Sequence, residues 1–325
     1  EPTSSLSPAA VERLLELAHT LKSQDRSVIY ISHFLEEVMQ VADRVTVLRN
    51  GQHIDTLGAE QLSMDTLISL ILGREAGSKL PPAIQTRSEK TLLEVVNMSA
   101  DSFRDINLTV GAGEIVGVYG AIGAGHFPLA RAIYGLYRVD SGHVVVDDHP
   151  FPKGYSARYA IDHGIAYAIE SRRKSLFLDK PNYENITLPN LARIAALVPN
   201  KAKEVAIADA AMQQVHVHPH DPVQDVGKLS GGNQQKVAIA RWLTHPPKVF
   251  IVSEPTRGMD VGAKNEVLSI LRNFRNEGFG VLVVSSEPET ILSVSDRIIV
   301  MSRGNMVAEM EKTEDVDKDT LMRLL

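Results

Sequence analysis

The tripeptide Glu-Pro-Thr occurs at residues 1–3 and again at 254–256, and the two occurrences sit in one unbroken register. At the same offset of 253 residues Ala10 falls on Ala263, Ser32 on Ser285, Asp43-Arg44 on Asp296-Arg297, Val47 on Val300 and Gly51 on Gly304. Apolar positions agree between these anchors. An offset of that size is a domain length, far beyond the period of a solenoid. The expected organisation is the C-terminal part of one domain at residues 1–73, a linker at 74–90 and a whole second copy at 91–325. Gly77, Ser78, Pro81 and Pro82 mark the linker, which has no apolar period. Because Glu1 lies inside the repeated motif, the sequence reads as a fragment, with about 180 residues of the first copy outside it.

With 325 residues, 44% of them hydrophobic, the chain has material for packed cores and is too apolar for disorder. A formal net charge of −6 provides no overall positive field, which disfavours nucleic acid as a partner. The absence of cysteine excludes disulfides, thiolate metal sites and thiol nucleophiles. No apolar run reaches the roughly 18 residues needed to cross a bilayer, and no export signal opens the sequence. A cytosolic setting is expected.

Within the second copy, short Val/Ile/Leu-rich runs alternate with helix-length segments. Glu114 to Tyr119, Gly164 to Ala168, Val249 to Val252, Gly280 to Val284 and Arg297 to Met301 read as strands, several with the continuous apolar character of buried parallel strands. Asn182 to Val215 reads as mainly helical, most clearly from Lys201, which suggests a helical insertion in an α/β domain.

After the strand ending at Tyr119 comes Gly120-Ala121-Ile122-Gly123-Ala124-Gly125-His126-Phe127, followed by a helical pattern from Pro128 to Tyr134. Strand, Gly-rich loop and helix in that order form the context of a phosphate cradle, in which glycines let the backbone approach phosphate and helix-start amides donate to it. In the full pattern a Lys and a Ser/Thr follow the last glycine. Here His126 and Phe127 stand there, so the charge-assisted contact, worth about 1.5–3 kcal/mol, is lost. A phenyl ring cannot ligate Mg²⁺. Weak phosphate binding without metal chemistry is expected; the alternative is a Gly-rich turn with no ligand. Further on, Leu229-Ser230-Gly231-Gly232-Asn233-Gln234-Gln235-Lys236 leads into a helix-compatible segment, and Ser230 with two glycines at a helix start makes a second anion site. Val249 to Val252 then ends in Ser253-Glu254-Pro255-Thr256.

Gly-rich loop, Leu-Ser-Gly-Gly-Asn-Gln-Gln-Lys, apolar strand and Glu-Pro-Thr, in this order, resemble the nucleotide-binding cassettes of ABC transporters. The tandem arrangement, the Asn-Gln-Gln-Lys extension and Glu254-Pro-Thr-Arg-Gly-Met-Asp-Val-Gly-Ala-Lys264 resemble the ATP-binding proteins of bacterial importers for ribose, galactose, xylose and similar sugars. The resemblance implies an α/β P-loop NTPase cassette with a mostly parallel core sheet, an antiparallel β subdomain and a helical subdomain. It also implies ATP with Mg²⁺ in the complete protein, membrane permease subunits as partners, a periplasmic sugar-binding protein acting indirectly, and a peripheral place on the cytoplasmic face of the inner membrane. In such ATPases each nucleotide lies between the phosphate loop of one cassette and the signature of the other. Ser230, Gly231, Gly232 and Asn233 would then face the phosphate loop of the missing N-terminal cassette, where Glu1 would orient or deprotonate the attacking water and His33 would be the switch histidine.

By the same resemblance the site of the second cassette is impaired. Ser253 stands where the family carries an Mg²⁺-linked Asp, Ser286 is the repeat counterpart of His33, and Glu170 takes the place of the loop glutamine. Glu254 remains, with little to catalyse beside an unclamped γ-phosphate. No residue is assigned to a metal. His216, His218 and His220 alternate, but Pro219 favours a polar connection over a metal site. The basic run Arg172-Arg173-Lys174 is read either as a solvated face or as a contact to phosphate or a partner. Phe103 is either an adenine platform or core. Two other functions stay open: a non-catalytic remnant or half of a split protein, and a soluble tandem-cassette ATPase of translation or DNA repair, against which the short Pro-containing linker argues.

Overall fold

The computed structural model describes residues 8–32, 34–49, 52–72, 90–194, 198–313 and 315–325. Glu1, His33 and all but the last residue of the expected linker lie outside them. The chain divides into two compact units, one of Glu1–Pro82 with Asp260–Gly262 and one of Ala83–Met259 with Ala263–Leu325.

The first unit has helices α1 (Pro8–Ser23), α2 (Leu35–Val41) and α3 (Met64–Leu72) and an antiparallel hairpin of β1 (Arg44–Arg49) and β2 (Gln52–Gly58). Val47, Leu57 and Leu67 form its small core. The repeat survives as geometry: Asp43 pairs with Lys22, and at the same offset Asp296 pairs with Arg275. One repeated segment behaves differently in the two units. Val28, Ile29 and Ile31 form no strand, and Ile29 is 91% exposed, whereas its counterpart Leu282 is fully buried in a central strand. The physical reason is pairing, because among the described residues of the first unit no strand flanks the segment.

In the second unit the strands are β3 (Thr91–Ala100), β4 (Phe103–Gly111), β5 (Ile115–Gly120), β6 (Ser141–Val146), β7 (His149–Pro150), β8 (Ile165–Ala168), β9 (Val249–Ser253), β10 (Gly280–Ser285), β11 (Arg297–Ser302) and β12 (Asn305–Glu311). Its helices are α4 (His126–Ile133), α5 (Ala157–Asp162), α6 (Arg172–Ser175), α7 (Asn182–Thr187), α8 (Leu191–Ile194), α9 (Lys201–Gln214), α10 (Gly231–Leu243), α11 (Val261–Asn276), α12 (Pro288–Val294) and α13 (Lys318–Arg323).

Every residue of β5, β8, β9 and β10 is buried, which is why these strands read as unbroken apolar runs. They lie in a six-stranded sheet of order β12-β11-β5-β10-β9-β8, parallel except for β12 at its edge. A second, antiparallel sheet of order β4-β3-β6-β7 shows the alternation of a half-buried sheet, with Leu93 and Val95 inside and Glu94 out. Helices α7, α9 and α10 pack on one another as the helical part. The fold is thus the α/β class that the sequence predicts, with parallel and antiparallel sheets and a helical insertion. Because β5, β10 and β9 are adjacent and parallel, the segments that leave their C-terminal ends are brought together, the position at which open parallel sheets bind ligands.

Candidate functional site

The loop leaving β5 turns on two glycines with positive φ, 92° at Gly123 and 97° at Gly125. A Cβ on Gly125 would stand 2.5 Å from the carbonyl oxygen of Ser102, so glycine is required by space as well as by conformation. The amides of Ile122, Gly123 and Gly125 have no acceptor among the described residues, and α4 begins directly behind them. This is the backbone of an anion cradle.

The side chains that follow do not complete it. His126 is 1% exposed, and neither ring nitrogen has a hydrogen-bond partner. Its Nδ1 lies 2.8 Å from where a Cβ on Gly120 would be, and its ring packs on Phe127 with centroids 4.0 Å apart. Burial pushes its pKa down to about 4, so near neutral pH the imidazole carries no charge. The position that would supply a phosphate-binding cation therefore supplies a neutral, dehydrated ring.

The residues present do not fit a divalent cation either. Phe127 offers no oxygen. Ser253, at the end of β9, is fully buried, and its Oγ lies 3.0 Å from the hydroxyl of Tyr167 on β8. Glu170 is ion-paired with Arg131 of α4, which leaves its Oε2 buried and unpartnered. Hard cations take several oxygens at once, and among the described residues no group of three or more His, Cys, Asp or Glu is arranged to hold a metal.

Glu254 is 3% exposed and has a left-handed backbone, φ 48°. Its Oε1 accepts from the Ser286 amide at 2.8 Å and the Ser286 hydroxyl at 2.7 Å, and its Oε2 accepts from Ser285 Oγ at 3.3 Å. The carboxylate is used as a clamp between the ends of β9 and β10. Ser286, the repeat counterpart of His33, thus supplies two of the donors that hold this carboxylate.

The second candidate, the Ser230 turn, is better formed. Ser230 caps α10, its hydroxyl accepting from the amide of Asn233 at 3.4 Å and from Asn233 Nδ2 at 3.0 Å. Asn233 Oδ1 in turn accepts from the amide of His218 at 2.7 Å, so the turn is held from outside the helix. Gly232 packs so closely on Ala263 of α11 that an added Cβ would stand 2.8 Å from that methyl group. Ser230 and Gly231 are exposed.

Among the remaining candidates, Phe103 is 1% exposed and belongs to the core. His220 pairs with Asp209 at 2.8 Å, and its two histidine neighbours join no metal cluster. Sequence reasoning missed Tyr167, Arg131 and Ser285, the partners that occupy Ser253, Glu170 and Glu254; each lies at least 31 positions from the residue it holds, beyond any local pattern.

The profile of the ABC transporter family matches residues 103–257. The ribose import ATP-binding protein RbsA of Geobacillus kaustophilus is 35% identical over 325 residues, covering 99% of this chain and 65% of that protein. Residues 103–257 of this chain belong to the ABC transporter family. The RbsA of Clostridium tetani is 36% identical over 327 residues, covering 99% of this chain and 64% of that protein, and that of Bacillus subtilis is 36% identical over 318 residues, covering 97% and 64%. The chain thus spans a little under two thirds of the length of these relatives. Among solved structures, an ATP-binding cassette of an ABC transporter in its ADP conformation superposes with a TM-score of 0.62 at 20% identity, over 71% of this chain and 95% of that one. A dimeric cassette in a post-hydrolysis state with ADP and Pi gives 0.59 at 20% identity, over 68% and 99%. Among the described residues of this ABC chain, no helix is long and apolar enough to cross a membrane.

Proposed function

We propose that this chain works as part of the ATP-binding subunit of a sugar importer, and that it supplies a signature face to a nucleotide held by the phosphate loop of another cassette. The observation that carries the sugar reading is the collinear likeness to ribose import ATP-binding proteins over 97–99% of the chain. The division of labour is supported by the contrast between the two anion sites. Ser230, Gly231, Gly232 and Asn233 form an ordered turn with Ser230 and Gly231 exposed, whereas Gly120 to Phe127, Glu170, Ser253 and Glu254 lack a cation, a metal ligand and a free carboxylate.

In this reading the backbone of Gly120 to Gly125 holds the phosphates of a nucleotide weakly, and Glu254 keeps the ends of two strands in register. Hydrolysis takes place at the composite centre, with Glu1 ordering the attacking water and His33 contacting the γ-phosphate. Mg²⁺ belongs to that centre. Closure on ATP moves membrane permease subunits on the cytoplasmic side, fed by a periplasmic sugar-binding protein. The expected linker at 74–90 joins the C-terminal part of the first cassette, 1–73, to the degenerate second one, 91–325.

The test is monosaccharide uptake in the source cell. Deletion of the coding region should abolish uptake of one sugar, and a copy carrying Ser230→Arg, which fills the signature turn, should fail to restore it. Uptake unchanged by the deletion would refute the reading. The altered loop also favours a second reading, a non-catalytic remnant, in which the deletion has no transport phenotype and the chain copurifies with no permease.

A further inference from the structure

Of the basic run on α6, Arg173 and Lys174 are exposed to solvent and only Arg172 turns inward. Its Nη2 donates to the main-chain carbonyl of Arg257 at 3.3 Å. A Cβ on Gly231 would be 2.6 Å from Nη1, and one on Gly258 would be 3.8 Å from Nη2. The guanidinium therefore fills the gap between the signature turn and the segment that follows Glu254-Pro-Thr, and any side chain at Gly231 would displace it.

That guanidinium is only partly used. Its Nη1 is buried without a hydrogen-bond partner, and among the described residues no carboxylate pairs with it. Two other arginines of the same unit meet carboxylates, Arg275 with Asp296 at 2.8 Å and Arg297 with Glu114 at 2.9 Å, whereas Arg241 leaves two buried nitrogens unpartnered but lies away from the signature turn, inside α10. A guanidinium stays protonated in proteins, and leaving one of its donors dehydrated and unpaired is costly. A lone charge kept this way beside an exposed serine-glycine turn is matched by an anion, and its planar fork suits the oxygens of a phosphate.

We propose that Arg172 contacts the terminal phosphate of the nucleotide that another cassette presents to Ser230 and Gly231, and so positions it against the signature turn. This rests on the composite-site reading given above. Its consequence is a division within the basic run: Arg172 acts on the nucleotide, and Arg173 and Lys174 do not.

The experiment is steady-state ATPase kinetics of the complete transporter ATPase with Arg172→Met, Arg172→Lys, Arg173→Met and Ser230→Arg, with the unfolding midpoint of each measured alongside. Arg172→Met should raise KM for ATP about tenfold or more, the loss expected for one charge-assisted phosphate contact. Arg172→Lys, which keeps the charge and loses the fork, should fall between it and the unaltered protein, while Arg173→Met should change neither constant. If Arg172→Met lowers the midpoint but leaves KM and kcat unaltered, and Arg172→Lys does the same, Arg172 is a structural tie to Arg257 and the proposal is wrong. If Ser230→Arg leaves turnover intact, the composite site itself is wrong and the proposal falls with it.

Discussion

Acidification should destabilise this fold through one histidine. His126 is buried with both ring nitrogens unpartnered, and its pKa falls from the ordinary 6.5 to about 4. In the unfolded chain the same imidazole titrates near 6.5. Between the two values the unfolded state binds a proton that the folded state refuses, so stability is at its full value above pH 6.5 and declines as the pH falls toward 4. At 1.36 kcal/mol per pK unit, the gap amounts to about 3 kcal/mol, a large share of the stability of a single domain. The assay is urea unfolding of the second unit at several pH values for the native chain and for His126→Leu, which keeps the packing and removes the ionisation. Near pH 7 the variant should be as stable as the native chain or more so, since it no longer buries two unsatisfied nitrogens. Below pH 6.5 its curve should lie progressively above, by about 3 kcal/mol at pH 4. Parallel curves from pH 7 to pH 4 would refute the account of His126 as a neutral, dehydrated ring.

Two further outcomes follow from the same site. Restoring a cation with His126→Lys and Phe127→Ser should tighten nucleotide binding by about tenfold or more, as a charge-assisted contact does, read by isothermal titration of the chain with ADP. Added Mg²⁺ should contribute little to that gain, because Ser253 remains bonded to Tyr167. Ser286→Ala removes one donor from the buried carboxylate of Glu254 and should cost about 1–3 kcal/mol in unfolding free energy, whereas Ser286→Thr, which retains the hydroxyl, should cost much less.

Much of the fold was legible because burial on both faces leaves its trace in composition. The runs at Val249 to Val252 and Gly280 to Val284 could scarcely be anything but central strands, and Ser230 announced the start of α10 through its capping chemistry. The repeat was equally informative, since Lys22 with Asp43 and Arg275 with Asp296 preserve one ion pair in two places. The repeat does not carry over to the structure of Val28 to Ile31, where sequence reports the wish to pair and structure reports whether a neighbour is there. At the candidate site, substitutions could be read one by one but their new partners could not. That Ser253 bonds Tyr167 across 86 positions, or that Glu170 is tied to Arg131 across 39, depends on which strands become neighbours. Nor does the string Arg172-Arg173-Lys174 say which of its members turns inward; that is decided by the space left open at Gly231.

The account turns on the claim that this chain's own phosphate loop and Glu254 do not form a hydrolytic centre. The direct measurement is phosphate release from ATP by the purified 325-residue chain in the presence of Mg²⁺. The account predicts release no faster than the buffer blank, and the same result for Glu254→Gln. Sustained turnover that Glu254→Gln abolishes would contradict it.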